Sequence, residues 1–156
     1  MSKLVPKILI VEDDDLIREI VITILRESGF DIRADSNADD ALGRIERKNF
    51  DLVIADIDLP GGLNGLRMMQ KARERQPGLR CLFISGWYLP IVCDPLIDEF
   101  ISKPFRPGEL LGCVWKVLSG NLPYPRVTIA REECAPAEPR NSGSPQRHKG
   151  TGSPCR

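Results

Sequence analysis

The most constraining feature of this sequence is an alternation of short apolar runs with longer segments of helical periodicity. The short runs are residues 7–11, 30–34, 51–55, 80–85 and 99–103. A continuous, β-branched run such as "KILIV" or "DLVIA" is typical of a strand that helices cover on both faces. Strands that alternate with helices form mostly parallel sheets joined by right-handed crossovers. The pattern therefore predicts a doubly wound α/β domain that ends near residue 120.

The first two predicted helices have clear start and stop signals. Asp14 or Asp15 can cap the first helix, and Gly29 suits its end. The stretch "SNAD" at 36–39 resembles a capping box that opens the second helix. The residues expected on the buried faces are Leu16, Ile17, Ile20, Val21, Ile24 and Leu25 in the first helix, and Ala38, Ala41, Leu42 and Ile45 in the second.

Two further helices are predicted before residue 120. One lies near 65–75, and the last lies in "PGELLGCVWKVLSG", with Pro107 near its first turn and Gly120 just past its end. In the helix near 65–75, the residues expected to face inward are Leu66, Met69 and Ala72. Pro90 and Pro95 interrupt the segment between the fourth and fifth strands, because proline does not fit inside a helix. We therefore expect the fourth helix of the fold to be short or irregular.

The composition excludes several classes of function. The chain of 156 residues carries 22 basic and 22 acidic side chains, so no global field favours nucleic acid or an acidic membrane. Its N-terminal apolar stretch is too short for a signal peptide, and no later segment approaches the roughly 20 apolar residues that span a bilayer. The five cysteines lack C-x-x-C spacing and suggest neither a zinc site nor a disulfide framework. We expect a cytoplasmic protein with no direct nucleic-acid or membrane partner.

Residues 121–156 differ in composition from the rest of the chain. Pro, Gly, Ser, Arg and Glu dominate this segment, and six basic side chains stand against three acidic ones. A segment with so few large apolar side chains cannot bury enough surface to fold by itself. We expect a disordered tail with no second core, so any output must come from a separate protein.

Polar and charged residues follow the ends of four predicted strands. Glu12 and Asp13 come after the first strand, Asp56 after the third, Ser85 ends the fourth and Lys103 ends the fifth. In an open parallel sheet, ligands bind beyond the carboxyl ends of the strands, where the strand order reverses. We therefore expect these side chains to meet in one crevice.

The residue types in this crevice point to phosphoryl chemistry. Several carboxylates repel one another unless a cation lies among them, and oxygen ligands favour Mg²⁺ over zinc. A lysine and a hydroxyl beside such a cation can neutralise the oxygens of a moving phosphoryl group. Asp56 would then be the nucleophile.

Each of these residues has a simpler explanation when it is taken alone. The stretch "EDDD" can mark only the start of a helix, Ser85 can be a turn residue, and Lys103 can be a solvated edge residue. These explanations would have to coincide at four strand ends. The coincidence favours the functional interpretation.

The residues also carry a resemblance to a known family. The stretches "ILIVEDD", "DLVIADIDLP", "FISG" and "FISKPF", in this order, resemble the receiver domain of two-component response regulators over about residues 6–120. The resemblance implies a flavodoxin-like, five-stranded parallel sheet in the order 2-1-3-4-5.

The resemblance also implies a role for each residue at the strand ends. Glu12 and Asp13 would help to hold Mg²⁺, and Asp56 would accept a phosphoryl group from a histidine kinase or a phosphotransfer protein. The backbone carbonyl of Asp58 would complete the metal shell. Ser85 would bind a phosphoryl oxygen, and Lys103 would pair with it, with Lys103-Pro104 as a cis peptide.

Two departures from the family pattern affect the expected signal. Phe100 stands where many receivers have tyrosine, so it can move together with Ser85 as a switch but has no hydroxyl. The shortened interval between Ser85 and Lys103 alters the face that often forms the dimer, so no oligomeric state is predicted. The expected signal is phosphorylation-dependent binding to a separate output protein.

Three alternatives accompany this interpretation. The chain can act as a phosphate sink that competes for a kinase. The stretch "DID" at 56–58 also matches the D-x-D of haloacid-dehalogenase-type phosphatases, but there it normally follows the first strand and the chain carries a cap. A pseudo-receiver that never accepts phosphate is disfavoured, because the expected acids, hydroxyl and lysine are all present. We therefore predict no enzyme beyond autocatalytic aspartyl phosphorylation.

Overall fold

The computed structural model describes residues 5–86 and 97–120 of the chain. The strands are β1 (Lys7–Val11), β2 (Asp31–Asp35), β3 (Leu52–Asp56), β4 (Arg80–Ser85) and β5 (Glu99–Ser102). The helices are α1 (Asp15–Glu27), α2 (Ala38–Arg47), α3 (Gly65–Arg75) and α4 (Pro107–Ser119). The predicted tail 121–156 and the segment 87–96, where the short or irregular helix was expected, lie outside the described residues.

All five strands are parallel and form one sheet in the order β2-β1-β3-β4-β5. This confirms the predicted flavodoxin-like α/β fold. Every residue of β3 is buried, because this strand lies at the centre of the sheet and helices cover both of its faces. The chain runs from β1 outward to β2 and then back to β3 on the other side of β1. The order therefore reverses at the carboxyl ends of β1 and β3, where a crevice forms.

The sheet separates two hydrophobic cores. Successive residues of a strand point to opposite faces, so Leu9 and Val53 pack on the side of α2 and α3, whereas Ile10 and Ile54 pack on the side of α1 and α4. The residue pairing of Ile10 with Ile54 keeps the two strand ends level. This register brings the residues that follow β1 and β3 to the same height.

The structure identifies the residues that cap α1 and α2 and corrects one of the two predictions. Of the two candidates for α1, Asp14 is the cap, and its side chain accepts a hydrogen bond from the Ile17 N–H. The predicted capping box at 36–39 is wrong by one residue, because Asn37 caps α2 and accepts from the Asp40 N–H. Asparagine and serine side chains cap helices equally well. The point where the chain leaves β2 therefore decides that Asn37, and not Ser36, is the N-cap of α2.

The buried faces of two helices also differ from the predicted sets. Leu16 and Ile20 are 71% and 46% exposed, whereas Ile22 is buried in their place. In α3, Met68 is fully buried and Leu66 is only partly buried. Helical periodicity identifies an apolar stripe, but the sheet and the neighbouring helices decide how much of that stripe is covered.

Within residues 5–86 and 97–120, no helix combines the length and the apolar character needed to cross a membrane.

Candidate functional site

The carboxyl edge of the sheet gathers the polar residues singled out in the sequence. Asp56 is the last residue of β3, and Ser85 is the last residue of β4. Glu12 directly follows β1, and Lys103 directly follows β5. Glu12, Asp56 and Ser85 are all buried. The strand ends therefore bring these side chains together at the carboxyl edge of the sheet.

Both carboxylate oxygens of Asp56 accept hydrogen bonds. Oδ2 lies 2.5 Å from the Lys103 Nζ, and Oδ1 lies 2.8 Å from the backbone nitrogen of Asp58. The side chain is only 9% exposed. Two donors on opposite oxygens hold the carboxylate in one orientation, which suits a nucleophile that must present a particular oxygen.

Lys103 bridges two buried acids. Its Nζ also lies 2.8 Å from Oε2 of Glu12. Burial raises the pKa of Glu12, and the nearby Asp56 raises it further, while the Lys103 ammonium opposes both effects. Burial alone would lower the pKa of Lys103, but the hydrogen bonds to Asp56 and Glu12 outweigh it, so the pKa is raised. The lysine therefore stays charged and neutralises part of the acidic group.

Three carboxylates form a group that fits a divalent cation. Ligand oxygens of Glu12, Asp13 and Asp56 all lie within 4.8 Å of one another. One ammonium cannot balance three carboxylates, so the group keeps an excess of negative charge. Asp13 is exposed, which leaves room for water on its side of the group. Oxygen ligands from few carboxylates, completed by water, are what Mg²⁺ prefers, so the residues present fit this ion.

Arg18 holds the loop that carries the first two acids, a contact that the sequence interpretation missed. Its guanidinium donates to the backbone carbonyl of Glu12 at 2.7 Å and to that of Asp13 at 3.5 Å, and it pairs with Asp15. The only signal in the sequence is a basic residue on the first turns of the helix that follows the acids. Such a signal does not reveal that the side chain folds back onto the loop.

Gly65 positions the loop after β3, and this contact was also missed. A Cβ atom at this position would lie 2.1 Å from the carbonyl oxygen of Asp56. The Gly65 N–H donates to the carbonyl of Ile57 at 3.1 Å, and Asn64 caps α3. The start of α3 therefore packs directly on the backbone of Asp56. Several glycines occur in "GGLNG", and the sequence does not show which one makes the close approach.

Ser85 and Asp58 are joined by their side chains. The Ser85 hydroxyl, which is fully buried, donates to Oδ2 of Asp58 at 3.1 Å. The sequence interpretation gave Asp58 a metal-binding carbonyl and assigned no hydrogen-bonding partner to its carboxylate. The role of that carbonyl stays a prediction.

The remaining predicted residues lie on β5 and just beyond it. Phe100 is partly buried and packs against the core on the side of α2 and α3, opposite Phe83 of β4. The Lys103-Pro104 peptide is cis, as the resemblance implied. The Lys103 N–H donates to the carbonyl of Ser85 at 2.8 Å, which holds the lysine level with the end of β4.

Comparisons with known proteins match the chain to response regulators. The family model of the response regulator receiver domain matches residues 8–114. The response regulator receiver protein CpdR of Brucella abortus (strain 2308) is 28% identical over 117 residues, which cover 72% of this chain and 96% of CpdR. The transcriptional activator protein ExaE of Pseudomonas putida is 31% identical over 143 residues, which cover 88% of this chain. This chain spans 66% of the length of ExaE.

A solved structure shows the same architecture. The response regulator protein TrrA from Thermotoga maritima, in complex with Mg(2+)-BeF, has a TM-score of 0.66 and 31% sequence identity to this chain. The match covers 72% of this chain and 99% of TrrA.

Proposed function

Because the chain belongs to the response regulator receiver domain family, we propose that it accepts a phosphoryl group on Asp56 in a Mg²⁺-dependent reaction. The donor is a histidine kinase or a phosphotransfer protein. The observation that carries this proposal is the setting of Asp56, which ends the central strand, is bound by Lys103 and lies within the acidic group.

The transfer replaces one bond to phosphorus with another. An oxygen of the Asp56 carboxylate forms a new O–P bond as the N–P bond of the donor phosphohistidine breaks. The imidazole nitrogen keeps the electron pair of the broken bond and takes a proton from water. Because Asp58 and Lys103 fix the orientation of the carboxylate, little freedom is lost when the donor arrives.

The other site residues stabilise charge on the phosphoryl oxygens. The Lys103 ammonium, which lies beside Asp56, would pair with one of them, and the Ser85 hydroxyl would donate to another. Mg²⁺ held by Glu12, Asp13, Asp56 and the backbone carbonyl of Asp58 would supply further positive charge to the moving group.

The output of the phosphorylated chain is binding to a separate protein. Ser85 would draw the end of β4 toward the phosphoryl group, and Phe100 would change its packing beside β4 in response. CpdR, a receiver protein, is matched over 96% of its own length, so the similarity extends over nearly all of that receiver protein. A chain of this kind can also serve as a phosphate sink for its kinase.

The phosphatase alternative is less well supported. The D-x-D stretch begins at the last residue of the third strand, and Glu12 and Asp13 join Asp56 in the acidic group. Multiple turnover on a phosphomonoester would be the signature of that alternative. We expect no multiple turnover on a phosphomonoester. The phosphorylated protein itself should only lose its phosphate slowly.

The proposal is tested by intact mass after incubation with acetyl phosphate and Mg²⁺. The native chain should gain one phosphoryl group, and the gain should disappear in Asp56→Asn and in the presence of EDTA. Asp51→Asn, which changes the aspartate just before the start of β3, is the matched control and should be phosphorylated normally. A mass gain that persists in Asp56→Asn would assign the acceptor to another residue. No gain from acetyl phosphate or from any tested kinase would contradict the proposal.

A further inference from the structure

Asp58 contacts two residues of the proposed site through two different groups. Its backbone N–H donates to Oδ1 of Asp56 at 2.8 Å, and its carboxylate Oδ2 accepts from the hydroxyl of Ser85 at 3.1 Å. The side chain of Asp58 is exposed, whereas Ser85 is fully buried. A surface carboxylate therefore reaches inward to a buried hydroxyl at the acceptor.

The direction of the hydrogen bond follows from the chemistry of the two groups. An ionised carboxylate has no proton to donate, so the proton between Asp58 and Ser85 belongs to the serine. A hydroxyl has only one proton to donate. While that proton is directed to Asp58, it is not available to another acceptor.

We propose that the Asp58 carboxylate is a positioning residue that holds the Ser85 hydroxyl in the unphosphorylated state and competes with the phosphoryl group for it. This inference rests on the proposed function, in which Ser85 donates to a phosphoryl oxygen. On phosphorylation of Asp56 the hydroxyl leaves Asp58 and turns to the new anion. Asp58 thereby favours the resting state and opposes premature switching.

A second effect of Asp58 would also disfavour the phosphorylated state, and it must be separated from competition for the Ser85 hydroxyl. Its negative charge repels an incoming phosphoryl anion whether or not Ser85 is present. Competition for the hydroxyl requires Ser85, whereas repulsion does not. A double-mutant cycle between the two residues therefore distinguishes the two effects.

The experiment measures the binding of beryllofluoride, a phosphoryl analogue, in saturating Mg²⁺ by calorimetry. It compares the native chain, Asp58→Ala, Ser85→Ala and the double variant. We expect Asp58→Ala to tighten binding about 3- to 10-fold more when Ser85 is present than when it is replaced by alanine, as expected for loss of a competing charge-assisted hydrogen bond. Asp58→Asn, which keeps a neutral acceptor, should give a smaller gain. Asp39→Ala, which removes an exposed charge from α2, is the control and should leave binding unchanged.

The outcomes separate the inference from the function on which it rests. An equal gain from Asp58→Ala in both serine backgrounds would show repulsion alone and would overturn the inference, while phosphorylation of Asp56 would stand. Weaker binding by Asp58→Ala would overturn it as well, because the carboxylate would then assist the bound state. If the native chain neither binds beryllofluoride nor gains phosphate, the proposed function fails, and the inference fails with it.

Discussion

The ammonium of Lys103 lies 2.5 Å from a carboxylate oxygen of Asp56 and so joins the end of the central strand to the residue after the last strand. Lys103 also contacts Glu12, and the exposed fractions of the three side chains are 17%, 9% and 4% for Lys103, Asp56 and Glu12. One ammonium therefore contacts two buried acids and offsets part of their negative charge. Removal of the lysine would leave both acids without this partner.

This arrangement predicts a metal-dependent loss of stability in Lys103→Ala. Without Mg²⁺, the free energy of unfolding should fall by about 1–3 kcal/mol, the usual cost of leaving a buried polar or charged group without its partner. Mg²⁺ should restore much of the loss, because the ion binds the acids that the lysine has left. Chemical denaturation in EDTA and in Mg²⁺ measures both effects. Lys116→Ala, which removes a more exposed lysine paired with Glu99, is the control and should show no Mg²⁺ rescue.

Gly65→Ala should destabilise the chain and impair phosphorylation. A Cβ at Gly65 would lie 2.1 Å from the carbonyl oxygen of Asp56, so α3 or the backbone at Asp56 has to move. We expect a loss of about 1–3 kcal/mol, the range found for overpacked sites. Thermal unfolding and the rate of phosphorylation by acetyl phosphate report the two effects. Gly62→Ala, where a Cβ would meet nothing within 4 Å, should be close to native, and an equal loss in both variants would contradict the close-approach explanation.

Arg18→Met should weaken the binding of Mg²⁺. Arg18 binds the backbone carbonyls of Glu12 and Asp13 and so fixes the loop that carries two of the acids. Loss of such a supporting contact typically costs about tenfold or more in metal affinity. Simple removal of a positive charge would strengthen the binding of a cation, so the sign of the change identifies the mechanism. Titration of Mg²⁺ by calorimetry gives the affinity, with Arg26→Met in the last turn of α1 as the control.

Asp98→Ala should destabilise the fold without touching the acidic group. Asp98 is 4% exposed, pairs with Arg73 at 2.6 Å and accepts from the backbone nitrogen of Cys81 at 2.7 Å. It therefore anchors the chain to α3 and β4 as it approaches β5. We expect a loss of about 3 kcal/mol, because the variant breaks a buried ion pair. Asp31→Ala, which breaks the exposed pair with Arg33, should cost less than about 1 kcal/mol, and similar losses in both variants would contradict this difference.

Cys81 should resist alkylation in the folded chain. Its thiol is fully buried, and burial raises its pKa well above 9.0, which keeps it in the unreactive thiol form. Cys113, which is only partly buried, should react sooner. Iodoacetamide labelling followed by peptide mass mapping measures both rates. Because the pKa is raised in the folded state, the contribution of Cys81 to stability is complete below the unfolded pKa and is lost as the pH rises through the folded value.

The local pattern of the sequence was sufficient to predict the elements and the main members of the site. A buried parallel strand is continuous in its apolar residues, so "DLVIA" was readable as a central strand. Parallel strands present their carboxyl ends at one edge, so Glu12, Asp56, Ser85 and Lys103 were expected together there. These inferences depend only on residue type, order and the direction of the strands.

Other features depend on distances between residues that are far apart in the chain. The bond between Asp58 and Ser85, the close approach of Gly65 to Asp56 and the fold-back of Arg18 onto its loop all follow from how neighbouring elements pack. No period or motif encodes such distances. The exposure of Leu16 has the same origin, because the sheet and the neighbouring helices leave the start of α1 uncovered.

The sequence by itself therefore determined which strands are apolar enough to be buried and which charged and polar residues stand at the strand ends. The tertiary structure decided which oxygen of Asp56 accepts each hydrogen bond and which carboxylate accepts from the Ser85 hydroxyl. It also decided that Gly65 is the glycine with no room for a side chain. The physical reason is the distance along the chain over which each effect acts. Backbone preferences act over a few residues, whereas hydrogen bonds and steric contacts depend on tenths of an ångström between parts of the chain that are far apart in sequence.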